Sequence, residues 1–181
     1  LKEAYILGGS FRIHGNITPV TEYNIFADPE AAQKVLTSDL KITLVPLDVC
    51  ENNIFADSML TRDHLSDLRY QAKGEMIDYL CDKYPIYIDM WREYFQLGGF
   101  PMDDVITAAL ALDDSLCHYT EPVHVEVELE GRLTRGQIIP FFGYQINKYP
   151  EKERRNVRIA VSIEGKLFMN LFTDTLIKGC R

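Results

Sequence analysis

The chain has no apolar run long enough to span a bilayer, so no membrane partner is expected. No secretory signal pattern is visible, and a cytoplasmic location is the expectation. Basic residues are scarce: 19 Lys and Arg stand against 27 Asp and Glu, for a net charge of −8. That excess argues against nucleic acid as a partner, because a phosphate-backbone binder needs a basic face. Cysteine is sparse too. Cys50, Cys81, Cys117 and Cys180 are widely spaced and make no C-x-x-C pair, which reads as scattered reduced thiols rather than zinc ligands or a disulfide framework. No Gly-rich loop runs into Lys and Ser or Thr, so no phosphate cradle is present. No Ser/His/Asp or Cys/His order stands out. Internal repeats, low-complexity segments and linkers are absent as well.

What is present is a globular composition. Hydrophobic residues make up 46% of the 181 positions, enough for one domain over residues 1–181 with a sizeable core. Ala4 to Leu7 is a short apolar strand feeding Gly8-Gly9. Asp28-Pro29-Glu30 is a helix start: Asp28 caps, Pro29 suits the first helical position, and Glu30 favours the positive end of the dipole. "KITLVPLDV", residues 41–49, reads as a buried strand. Strand, helix, strand in this order is a βαβ unit with a parallel pair, whose ligand site lies off the carboxyl ends of the strands. Gly8-Gly9, the Asn16 to Asn24 loop and Asp48 all leave such ends.

From Thr61 the pattern is helical, with Leu65, Leu68, Met76 and Leu80 on one face and His64 at the start. Pro85 is expected to break that helix, "IYIDMWREYFQL" to restart it, and Gly98-Gly99 to end it. A short buried helix is expected at residues 103–113. Val123, Val125, Val127 and Leu129 alternate with polar residues as a half-exposed strand. Glu130-Gly131 then turns it towards "RLTRGQ" as a hairpin. "NVRIAVSIEG" is a last strand. A closing helix should turn Leu167, Phe168, Leu171, Phe172 and Leu176 inward. His14, His118 and His124 read as surface residues. The fold expected is α/β, a mostly parallel sheet with flanking helices and a C-terminal β-hairpin.

The stretch "GNITPVTEYNIFADPEAA", residues 15–32, carries the chemistry. Asn offers a donor and an acceptor, and a carboxylate accepts two hydrogen bonds. Asn16, Glu22 and Asn24 therefore suit adjacent hydroxyls on a small polar molecule such as a sugar. The plainer alternative is that they cap turns around Pro19 and steady the loop. On spacing alone the plainer one is favoured.

The wording of "ILGGSFRIHGNITPVTEYNIFADPEAAQKVL...ITLVPLDV" resembles the inosine-uridine nucleoside hydrolase family, densely over residues 6–49. "FPMDDVITAALALDDSL" is similar to that family's His-Asp helix start, and "VHVEVELEGRLTRGQ" with the last strand and helix resembles its ending. The resemblance implies hydrolysis of the N-glycosidic bond of ribonucleosides to ribose and free base. It implies a calcium ion holding the ribose hydroxyls and the attacking water. A sheet ending at the apolar strand Ala4 to Leu7 would leave an edge uncovered, so a homo-oligomer or pairing with another polypeptide is expected. Asn16, Glu22 and Asn24 stand where the family places ribose ligands, and Asp104 where it places a calcium-binding aspartate. Calcium wants hard oxygen ligands, and a metal-bound water is easier to deprotonate. Trp91, Tyr94 and Phe95 could stack on a base, although such a group is more often core or interface.

Two departures bear on activity. Asp103 occupies the place of a family His, the proton donor to the leaving base. It is either an acid of raised pKa or a cap for the helix beginning at Asp104, and the cap is the commoner role. The family's N-terminal Asp-x-Asp-x-Gly-x-Asp-Asp cluster is absent, leaving Asp104 as the one expected calcium carboxylate. The sequence thus reads as the later half of a nucleoside hydrolase, expected to associate with the missing N-terminal half. The alternative function is a non-catalytic homologue that binds a ribose-like ligand or a partner subunit.

Overall fold

The computed structural model describes residues 2–51, 57–143, 145, 148–149 and 154–180. At its centre β2 (Lys41–Val45) lies between β1 (Glu3–Leu7) and β6 (Val157–Ile163), parallel to both. Strand β3 (Cys117–Tyr119) adds antiparallel to β6. The ladder sets Leu7 beside Val45, so the loops after β1 and β2 leave from the same end of the sheet. The expected mostly parallel α/β arrangement is the one observed.

Alternation along the strands divides the core into two faces. Ile42, Leu44, Val157 and Ile159 point to one face. There they meet Ile25 of α1 (Tyr23–Ala27), Leu36 of α2 (Pro29–Leu36) and the hairpin of β4 (His124–Val127) with β5 (Ile138–Phe141). Val45 and Ala160 point to the other. That face is covered by α3 (Leu47–Cys50), α4 (Arg62–Gln71), α5 (Glu75–Phe95), α6 (Asp103–Leu112) and α7 (Gly165–Gly179). The Asp28 cap is real: its Oδ1 accepts the Ala31 N–H at 2.9 Å, with Pro29 in the first turn.

Several local expectations are corrected. Strand β2 stops at Val45 rather than residue 49, because Pro46 has no N–H for a ladder and Leu47–Cys50 coils into one helical turn. The helix break falls at Ala72 to Gly74 instead of at Pro85, and α5 runs unbroken through that proline. Ile77, Leu80, Cys81 and Ile88 are buried along α5 on both sides of it, and that burial outweighs one lost backbone hydrogen bond. In α7 the inward residues are Phe168 and Met169, with Phe172 and Leu176 half-buried and Leu167 and Leu171 outward. The helix packs on α4 and on the turn before β3, which rotates its buried face. The hairpin partner of β4 is Ile138–Phe141. "RLTRGQ" lies in the connecting loop, which Glu128 folds back by accepting the N–H groups of Glu130 and Gly131. His124 is buried, its Nε2 3.2 Å from Glu126, while His14 and His118 are on the surface as expected.

Candidate active site

The loop leaving β1 is clamped before it reaches its polar residues. Gly8 donates to Val45 O at 3.0 Å, and Gly9 O accepts from Leu47 N at 3.0 Å. Asp48, almost fully buried, accepts the Phe11 N–H at 2.8 Å and the Arg12 N–H at 2.7 Å. Two buried charge-assisted bonds of this kind are among the stronger ones available. Farther on, the loop doubles back so closely that a Cβ on Gly15 would lie 2.1 Å from Thr21 O. Thr21 Oγ1 in turn donates to Arg135 O at 3.2 Å, tying the turn to the hairpin loop.

This clamping presents Glu22 as the cap of α1. Its buried carboxylate accepts the N–H groups of Asn24 at 2.7 Å and Ile25 at 3.1 Å. Gly8 makes room for it: a Cβ there would meet Ile25 Cδ1 at 2.8 Å and Glu22 Oε2 at 3.5 Å. Burial pushes the Glu22 carboxyl above its usual range; the backbone donors pull it down, and the Asp104 charge adds to the rise. Asn24 Nδ2 donates to Leu7 O at 3.4 Å, and Asn16 Oδ1 accepts the Tyr23 N–H at 2.8 Å. The steadying role of these residues is therefore present. Asn16 Nδ2 and Asn24 Oδ1 remain without a partner among the described residues, on exposed side chains that can turn to a ligand.

Helix α6 packs against β1 and brings Asp103 and Asp104 in its first turn. Asp103 does not cap: the cap position is Met102, and no side chain closes the helix end. Asp103 Oδ1 is buried without a hydrogen-bond partner. Burial, then the charges of Asp104 and Glu22, push the Asp103 carboxyl up to about 6, while the Cys50 thiol against it lowers it. Glu51, at the end of α3, completes the group. Its Oε1 is also buried and unpartnered, and burial with the Asp103 and Glu22 charges pushes it up to about 7. The structure thus gathers Glu22, Glu51, Asp103 and Asp104 into one electrostatic neighbourhood, with Asn24 beside Glu22.

Sequence reading missed Glu51 because it placed a strand through residue 49; a helical turn after Pro46 carries the next residues round to α6. Asp48, expected on the ligand edge, is spent on the clamp. The ring of Trp91 lies 4.3 Å from Phe95 and 6.2 Å from Phe100, three residues before Asp103. These rings thus pack on the segment that leads into α6, while Tyr94 is exposed. Among the described residues no three His, Cys, Asp or Glu side chains are placed to hold a metal ion. Calcium takes about six to eight oxygens, so the described residues do not form a complete calcium site.

These features place amide and carboxylate groups off the carboxyl ends of parallel strands, where α/β sheets commonly take their ligands. The chain belongs to the inosine-uridine preferring nucleoside hydrolase family, whose sequence pattern matches residues 1–170. It is 31% identical over 178 residues to the probable uridine nucleosidase 2 of Arabidopsis thaliana, covering 96% of this chain and 52% of that protein. It is 29% identical to the inosine-uridine preferring nucleoside hydrolase of Crithidia fasciculata, covering 97% of this chain and 52% of the relative. The solved purine-preferring ribonucleoside hydrolase from Gardnerella vaginalis superposes with a TM-score of 0.79 at 29% identity, over 97% of this chain and 52% of that one. The chain spans about half the length of these relatives.

Proposed function

We propose that this chain forms the ribose- and leaving-group side of a ribonucleoside N-glycosidase, acting together with sequence outside these residues. The observation that carries the reading is the convergence of Glu22, buried as the N-cap of α1, with Asp103 and Asp104 at the start of α6. Asn16, Glu22 and Asn24 hold ribose hydroxyls. Asp104 would contribute one carboxylate to a calcium site whose other ligands lie outside the described residues, and calcium held there would supply a more acidic attacking water. Carboxylates near the sugar stabilise the cationic character that develops at its anomeric carbon as the base departs. Asp103, buried and with a raised pKa, is suited to carry a proton to the departing base.

Association with the remaining half is proposed along β1. Among the described residues that strand is an edge, paired only with β2, and its flank opens on a largely apolar hollow of about 250 Å³ lined by Ile6, Leu7, Ile25, Val35 and Leu36, with Asn24 and Asp28 beside them. An unpaired strand beside an apolar hollow favours strand addition from a further segment. The functional test is release of base from inosine and uridine by the chain joined to a family N-terminal half carrying the aspartate cluster. Calcium-dependent release supports the reading. A folded assembly that binds ribose without cleaving nucleosides favours the non-catalytic homologue instead.

A further inference from the structure

The turn between Asn16 and Glu22 is held loosely from within. Its backbone bonds run from Gly15 N to Pro19 O, from Ile17 and Thr18 N to Thr21 O, and from Thr21 N to Thr18 O. They measure 3.2 to 3.5 Å, at and beyond the long end of the usual range. Helix α1, which follows, has five residues and is too short to keep a direction of its own. Both rest on the loop of the β4–β5 hairpin, 114 positions further along the chain. Thr21, 1% exposed, donates its hydroxyl to Arg135 O at 3.2 Å, the one partner of that hydroxyl among the described residues. Gly136 has a φ of +86°, and a Cβ on it would lie 2.7 Å from Thr21 Cγ2 and 3.3 Å from Phe26 Cα. It therefore touches the chain just before Glu22 and again near the far end of α1. Arg135 fixes the loop in turn. Its Nη2 meets both oxygens of Glu30, in the first turn of α2, at 2.7 and 2.9 Å, and its Nη1 donates to Leu129 O.

From these contacts we infer that the hairpin loop, residues 128–137, is the seat of the Asn16 to Asn24 segment, with Thr21, Arg135 and Gly136 as positioning residues. That the segment so held meets ribose rests on the glycosidase reading. Glu22 and Asn24 lie between the two points that Gly136 touches. Ile25 anchors α1 in the core, and the hairpin loop removes the freedom to turn about that anchor. The bare Cα of Gly136 lets the two backbones come closer than any side chain would allow, and its positive φ suits glycine. Asn16 and Asn24 each have one end of the amide bonded to the backbone and the other end free. Where those free ends point is therefore set by the backbone that the hairpin loop seats. A shift of about 1 Å in such groups can cost about a hundredfold in rate, so a contact that touches no ligand governs how well the segment binds one.

Amide hydrogen exchange of the 181-residue chain tests the seating. Gly136→Ala should speed exchange at Tyr23, Asn24 and Ile25 about tenfold more than at Ile42 and Leu44 of β2. Adding Thr21→Ser should return part of that protection, because serine has no Cγ2 for the new Cβ to strike, while the strain of the positive φ stays. Thr21→Ser alone keeps the hydroxyl and should exchange nearly as the wild type does. A Gly136→Ala chain that exchanges like the wild type at the three amides would overturn the inference. So would a double variant no better protected than Gly136→Ala. Kinetics of the chain completed with a family N-terminal half test what the seating is for. There Gly136→Ala should raise KM for uridine about tenfold, with kcat less affected. A lower kcat at unchanged KM, as a smaller folded fraction would give, would overturn the positioning role. Absence of base release from the completed wild type would instead overturn the glycosidase reading, and the exchange result would still decide whether the hairpin loop seats the segment.

Discussion

Asp48 holds Arg12 twice on one oxygen: the Arg12 backbone N–H at 2.7 Å and its Nε at 3.3 Å both meet Oδ1. The other oxygen takes the Phe11 N–H at 2.8 Å. Asp48→Ala would strand two amide donors at the root of the loop. A loss of about 2 to 4 kcal/mol in urea unfolding is expected. Amide exchange at Phe11 and Arg12 should accelerate more than at Ile42 or Leu44 of β2. A variant as stable as the wild type would mean that the loop is held by other contacts.

Stability should fall as pH rises. Asp103 is pushed up to about 6 and Glu51 to about 7 in the folded chain, against about 4 for such groups when unfolded. The folded state therefore binds more protons between these values. The stabilisation is fully present below pH 4 as far as these two groups are concerned, and is lost as pH passes through 6 to 7. The effect is on the order of 2 kcal/mol for the coupled pair. Unfolding midpoints of the wild type and of Asp103→Asn with Glu51→Gln, taken from pH 5 to pH 8, should show a slope in the first that flattens in the second. Parallel curves would contradict the burial of these carboxyls.

The broad fold was legible because strand and helix signals in this chain are strong: the apolar run before Gly8-Gly9, the Asp28-Pro29 start and the alternation from Val123. Where reading went astray, longer-range packing decided. Pro85 breaks a helix in isolation, but Ile77 and Ile88 on either side of it are buried. His124 alternates with the inward Val residues of β4 yet is buried with its ring 5.4 Å from that of Phe141. The residues proposed to meet ribose, Asn16, Glu22 and Asn24, were singled out from wording, since they lie within nine positions of one another. Glu51 was not, because only the folded path of α3 brings it to Asp103.

Asn24 ties the start of α1 to the end of β1. Its amide holds Leu7 O while its carbonyl oxygen is unengaged. In the completed enzyme Asn24→Ala should lower kcat/KM on uridine by the equivalent of about 2 to 4 kcal/mol, chiefly through ribose contact. Unchanged kinetics would remove Asn24 from the site.

Asp103 and Glu51 can be separated by leaving group. If Asp103 passes the proton to the base, Asp103→Asn should cut turnover on inosine and spare a nitrophenyl riboside, whose leaving group needs no proton. Glu51→Gln should then have the smaller effect on inosine. The reverse order would assign the proton to Glu51, and loss on both substrates would point to damage of the site as a whole.

The glycosidase reading meets its most direct trial in one comparison: calcium-dependent release of base from inosine or uridine by the chain completed with a family N-terminal half, with and without Asp104→Ala. Release by the complete protein, abolished by Asp104→Ala and absent from the 181-residue chain alone, is the expected result, since one carboxylate cannot hold the ion. Full activity in Asp104→Ala, or calcium-dependent release by the chain alone, would contradict it.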